Sequence, residues 1–205
     1  MEETLKQKLE QAVWAAHVLF ERGTVKGNTG NISVRHEDKI YISASGTCFG
    51  TLQVSDFAVM DLDGNLLEKK ASKEWPLHLA VYRHKPEVNG VIHTHSTYAV
   101  LWGMQCVPGA GNVMPDITPY LRMKLGMVGC VEYAMPGSKE LFDAFEKEVD
   151  HSAGWLLMRH GTVVPGKTIL DAFYAQEELE ETAKVLWKMK KYVRNVNEYP
   201  KQVTL

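Results

Sequence analysis

The sequence predicts an α/β protein, a three-layer α/β/α sandwich whose central sheet is mixed and largely antiparallel. Three observations predict it. Apolar segments with strand alternation are interleaved with segments of helical spacing along the chain. Tight turns at His36-Glu37-Asp38-Lys39 and Asp63-Gly64-Asn65 join neighbouring strands as hairpins, which a purely parallel sheet does not contain. With 205 residues, 45% apolar and 23% charged, the chain is long enough to bury a full core. One domain over residues 1–205 is expected.

In chain order, Leu5, Leu9, Val13, Ala16 and Phe20 fall near helical spacing, and Gly23 is a stop, so residues 2–22 read as a helix with His17 on its face. Residues 24–31 hold Gly27, Asn28, Gly30 and Asn31. They form either a plain turn or a loop whose backbone N–H groups converge on an anion. Residues 32–35 and 40–43 alternate as paired strands, and Ser45-Gly46-Thr47 is a second hydroxyl-rich loop. Residues 57–62 are a strand that turns into 66–68. Ser72 can cap a helix with Pro76 in its first turn and Leu77, Ala80 and Val81 on its core face. A helix start carrying Ser72 and Lys73 favours an anion. Glu74 there either complements the macrodipole or does chemistry. His78 is expected to pack or to support the site, and His84 to be exposed at the helix end.

Val91-Ile92-His93-Thr94-His95-Ser96 is the centre of the chain. It reads as a short buried strand, and alternation turns His93 and His95 to one side. Two such imidazoles are half of a metal site, or simply satisfied histidines at a strand end. Glu74 and His160, both at the ends of apolar segments, tip the reading to metal. Ser96 can cap a helix from 97 to about 104, and 108–112 is a Gly-rich loop. Residues 128–133 read as a strand. A helix with Leu141, Phe142, Phe145 and Val149 on one face follows. Residues 155–161 read as one apolar strand ending in His160, which 162–165 continue. A long helix covers 168–193, with Glu177-Glu178-Leu179-Glu180-Glu181 as a solvated face and the last dozen residues on the surface.

The net charge of −2 gives no electrostatic case for nucleic acid or an anionic membrane. No apolar run approaches membrane-spanning length. Met1-Glu2-Glu3-Thr4 lacks the basic start and apolar core of a signal peptide. Cys48, Cys106 and Cys130 are scattered, without metal-ligand spacing, and read as small hydrophobes. A cytoplasmic location is the expectation.

Taken in order, Gly30-Asn31-Ile32-Ser33, Ser45-Gly46, Ser72-Lys73-Glu74, His93-Thr94-His95 and His160-Gly161 resemble the class II aldolase/adducin superfamily, the fuculose-phosphate aldolases among them. The resemblance covers nearly the whole chain and implies the class II aldolase fold. It implies a divalent metal, usually Zn2+, on His93, His95 and His160; Mn2+ and Co2+ accept the same ligands. It makes Glu74 the acid/base, touching the metal when substrate is absent. It places a substrate phosphate among Gly30, Asn31, Ser45, Gly46, Ser72 and Lys73. It further implies a homotetramer with the site at a subunit boundary, to which a neighbour contributes a tyrosine; Tyr120 is the candidate.

Lys73 departs from the fuculose-phosphate aldolases, which have a serine there. Ser72-Lys73-Glu74, Thr118-Pro119-Tyr120 and the Glu177–Lys184 run are similar instead to the branch holding the 3-oxo-tetronate 4-phosphate decarboxylases. The implied function is a metal-dependent carbon–carbon lyase working through a metal-stabilised enediolate. Its first form is decarboxylation of a phosphorylated keto sugar acid to dihydroxyacetone phosphate and CO2. Its alternative is aldol cleavage of a ketose 1-phosphate. A sugar-phosphate 4-epimerase and a non-catalytic adducin-like interaction domain rank lower, the latter because the full His/Glu set is present.

Overall fold

A computed structural model describes residues 4–189. Helix α1 (Leu5–Glu21) starts at a reciprocal cap: the Thr4 side chain accepts from Gln7 N–H, and the Gln7 side chain accepts from Thr4 N–H. Strands β1 (Asn31–His36), β2 (Lys39–Ser43), β3 (Phe57–Asp61) and β4 (Leu66–Glu68) follow, with two short 3-10 turns before β3. Helix α2 (Trp75–His84) leads into β5 (Gly90–Thr94), α3 (Thr97–Gly103), α4 (Pro119–Lys124), β6 (Val128–Val131), α5 (Lys139–Glu148), β7 (Gly154–Leu157), β8 (Gly161–Gly166) and α6 (Ile169–Met189).

The eight strands form one sheet in the order β4-β3-β2-β1-β5-β8-β7-β6. Every neighbouring pair is antiparallel except β6–β7. Alternation along the strands splits the core between the two faces. Val91 and Val163 pack with Leu77 and Val81 of α2 and Phe145 of α5. Ile32 and Ile92 pack with α1, and Val164 with α3 and α6. Helices thus cover both faces, as the sequence predicts. Among the described residues no helix is long and apolar enough to cross a membrane.

Four elements differ from their expectations. Residues 155–165 are two strands, not one. Arg159 takes a left-handed φ of 55° and reverses the chain, so β7 and β8 pair antiparallel. Both flanks are buried on both faces, which left no periodicity to mark the turn. The strand expected over 128–133 ends at Val131. Helix α2 starts at Trp75, with Glu74 at its N-cap position, and the Ser72 hydroxyl accepts from the Glu74 N–H just ahead of the helix, at a long 3.5 Å. The glutamate run of α6 is not merely a solvated face. Glu177 pairs with Arg22, and Glu180 accepts from the backbone N–H groups of Tyr98 and Ala99, each at 2.9 Å, so it caps α3 where Ser96 does not. Residues 190–193 of the expected last helix, and the polar tail, lie outside the described residues.

Candidate metal centre

Four side chains from three places in the chain converge. His93 is the next-to-last residue of β5, and His95 follows it on the same side of the strand, as alternation requires. His160 arrives from the β7–β8 turn, because β8 pairs with β5 in a register that sets Thr162 opposite Thr94. Glu74 enters from the start of α2, which packs over this face of the sheet. One ligand atom from each of Glu74, His93, His95 and His160 lies within 4.8 Å of all the others.

His93 Nε2 is 2.9 Å from Glu74 Oε2 and 2.9 Å from His95 Nε2, and His160 Nε2 is 3.1 Å from Glu74 Oε1. His93 Nδ1 donates to the Thr162 carbonyl at 2.7 Å, which leaves the lone pair of a neutral ring on Nε2, facing the cluster. Glu74 Oε1 and both ring nitrogens of His160 are buried without a hydrogen-bond partner. A carboxylate and imidazole nitrogens thus converge at one buried point with their hydrogen bonding unmet, an arrangement that positive charge among them resolves. Three imidazoles and one carboxylate suit a divalent cation, and the site fits one.

Burial, together with nearby His93 and His160, pushes the pKa of His95 down to about 3. Burial also lowers that of His160. Burial alone would raise Glu74, but His160 and His93 beside it outweigh burial and hold the carboxyl far below the usual range. Glu74 is thus a carboxylate and His95 a neutral ring across ordinary pH.

A cavity of about 350 Å³ opens beside this cluster, and Glu74 and His95 form part of its wall. Its lining also includes Gly30, Asn31, Ser45, Gly46, Ser72 and Lys73, so all six residues expected around the phosphate are brought together. Gly30 has φ of 78°, and a Cβ there would sit 2.8 Å from the His93 carbonyl oxygen, so the loop runs against β5 only as glycine. The exposed Lys73 lays its stem against Gly137, and its charge helps to lower His95 and His160. The structure does not bring Tyr120 to the cluster: it is 59% exposed on α4 and does not line the cavity. Sequence reading missed Pro136, which lines the cavity and carries no motif signal; Asn28 and Thr29 line it too and belong to the 24–31 loop read as a candidate anion loop. It also missed Thr162, whose carbonyl orients His93.

The Class II Aldolase and Adducin N-terminal domain family model matches residues 10–187. A 3-oxo-tetronate 4-phosphate decarboxylase of Haemophilus influenzae is 37% identical over 187 residues, covering 89% of this chain and 88% of that protein. An L-fuculose phosphate aldolase of Methanocaldococcus jannaschii is 35% identical over 176 residues, covering 86% of this chain and 93% of that one. The crystal structure of YgbL from Klebsiella pneumoniae superposes with a TM-score of 0.87 at 32% identity, covering 92% of both chains. The chain belongs to the class II aldolase and adducin family.

Proposed function

We propose that this chain is a metal-dependent carbon–carbon lyase that decarboxylates a 3-oxo-tetronate 4-phosphate to dihydroxyacetone phosphate and CO2. The observation that carries the reading is the joining of two features in one cavity: a His93/His95/His160/Glu74 cluster and an anion-suited wall that ends in Lys73. The similarity to decarboxylases of Haemophilus influenzae and Escherichia coli supports the choice of reaction. His93, His95 and His160 would hold the cation, with Glu74 as a displaceable fourth ligand; Zn2+ is our choice. When bound, such a cation supplies Lewis acidity toward a substrate ketone oxygen.

The chain's own groups do the rest. Gly30, Asn31, Ser45, Gly46 and Ser72 receive the phosphate with backbone N–H, amide and hydroxyl donors. Lys73 meets the second anionic group, the carboxylate. As C1 departs as CO2, its bonding pair stays on C2, and a proton that Glu74 takes up from solvent, once substrate has displaced its carboxylate from His93 and His160, passes to C2 and completes dihydroxyacetone phosphate. The buried walls keep competing water from that carbon. We further assign a cytoplasmic homotetramer with the cavity at a subunit boundary and Tyr120 reaching a neighbour's cavity.

The second reading is aldol cleavage of a ketose 1-phosphate, supported by similarity to L-fuculose phosphate aldolases at up to 35% identity. One assay separates the two. The zinc-loaded protein is given 3-oxo-tetronate 4-phosphate and, in parallel, a panel of ketose 1-phosphates, and dihydroxyacetone phosphate release is followed by coupled reduction. Turnover of the first with CO2 evolved is expected. Turnover of the ketose phosphates alone would replace decarboxylation by aldol cleavage.

A further inference from the structure

Four buried polar side chains form a single file between α2 and the cavity. Tyr82 OH lies 2.8 Å from Ser33 Oγ, Ser33 Oγ lies 2.7 Å from His78 Nδ1, and His78 Nε2 lies 2.5 Å from Asn31 Oδ1. None of the four is more than 3% exposed. The file crosses from α2 to β1 at residues 45 to 49 positions apart in sequence.

The direction of every proton in this file follows from counting donors. Ser33 Oγ is the one hydrogen-bond acceptor that Tyr82 O–H meets among the described residues. The phenol's other polar contact, the Val91 backbone, favours the phenolate and so approaches as a donor. Tyr82 must therefore donate to Ser33. Ser33 has one proton of its own, and its other partner is His78 Nδ1, so that nitrogen accepts. Full burial and the neighbouring His93 push the pKa of His78 down to about 3, so the ring is neutral and carries its proton on Nε2. Nε2–H then donates to Asn31 Oδ1. The reverse order would leave the buried phenol proton with no acceptor.

The end of the file is functional ground. Asn31 lines the cavity beside Ser45, Ser72 and Lys73. With its oxygen held by His78, its amide NH2 is the end left for the cavity. That nitrogen has no partner among the described residues, on a side chain 3% exposed. A free asparagine amide can flip and present either a donor or an acceptor; this one cannot.

We propose that Tyr82, Ser33 and His78 are positioning residues that lock the Asn31 amide with its N–H groups toward the cavity, so that the cavity offers an obligate donor there and selects an anionic oxygen of the substrate. The selection rests on the reading above that this cavity receives an anionic group. The lock itself does not.

The test uses the zinc-loaded full chain. Nitrogen-15 NMR of histidine-labelled protein, with the His78 signals assigned by their loss in His78→Gln, reads the tautomer directly. The expected result is a protonated Nε2 and a bare Nδ1; a protonated Nδ1 overturns the lock. Binding of inorganic phosphate by calorimetry reads the consequence. Ser33→Ala should weaken phosphate about tenfold. In an Asn31→Ala background the same change should matter by less than about twofold, because coupled residues are not additive. An equal loss in both backgrounds makes Ser33 merely structural and overturns the positioning role. Tyr82→Phe, which keeps the ring packing, carries the same expectation if Ser33→Ala does not fold. A protonated Nε2 with no phosphate binding to the wild-type protein overturns the anion reading and the selection. Phosphate binding with a protonated Nδ1 overturns the lock alone.

Discussion

Gly161 lies so close to Thr94 that a Cβ on it would stand 2.1 Å from the Thr94 carbonyl oxygen and 3.1 Å from the His95 ring. The glycine sits between His160 and Thr162, on the strand that pairs with β5. The missing side chain is what lets the His160 turn close on the His93–His95 strand.

Gly161→Ala should therefore part β5 from β8 where the ligands meet. We expect a stability loss of about 2 kcal/mol, within the range for forced overpacking. We also expect a larger loss of bound metal than that fold change implies. Denaturant unfolding and metal content per chain measure the two. Wild-type metal content in the variant would show that the strand ends accommodate the methyl group.

Glu74→Gln keeps the shape and removes the charge and the ability to take up and pass on a proton. The fold and most metal should persist on three histidines, while kcat falls by about 10²–10⁴. Wild-type kcat in this variant would remove Glu74 from proton transfer.

Lys73→Ser tests the choice between reactions. Lys73 stands at the cavity wall with its stem on Gly137. Its loss should weaken kcat/KM by about tenfold more on a substrate with a carboxylate than on one without, since only the former loses a charge partner. Equal losses on both would return Lys73 to the phosphate.

Glu180→Ala removes the acceptor from the Tyr98 and Ala99 N–H groups at the start of α3. A lost helix cap together with a lost charge at that end should cost about 2 kcal/mol in urea unfolding. A cost below about 0.5 kcal/mol would mean that water replaces the carboxylate without penalty.

His84 sets a pH dependence of stability. Its Nε2 faces Glu146 at 2.7 Å and its Nδ1 faces Asp150 at 2.9 Å, so both bonds form only on the imidazolium. The Glu146 bond chiefly, with that to Asp150, raises its pKa above 6.5 against a smaller opposing effect of burial. The folded value lies above the unfolded one, so the stabilisation is full below pH 6.5 and is lost as pH rises through the raised folded value. His84→Gln should cost roughly 0.5 kcal/mol near pH 5.5, the scale of an exposed pair, and less as pH climbs. A cost that does not change with pH would show that the two carboxylates leave the ring uncharged.

By itself the sequence determined what is local. The hairpins, the helix faces, the common side of His93 and His95, and the glycine and serine loops follow from periodicity and turn chemistry within a few residues. Family motifs then grouped Glu74 and His160 with that pair, and all six anion-wall residues with one another. Tertiary structure decided what depends on contacts between distant segments. It placed the reversal at Arg159 inside a run that is apolar on both sides. It gave Glu180 the cap that Ser96 does not supply, across 81 and 82 positions. It set Tyr82, Ser33 and His78 behind Asn31. The physical reason is common to all three. Periodicity records which side of an element is buried, whereas the partner of a buried polar group is chosen by whichever donor or acceptor the folded sheet brings within 3 Å or so of it.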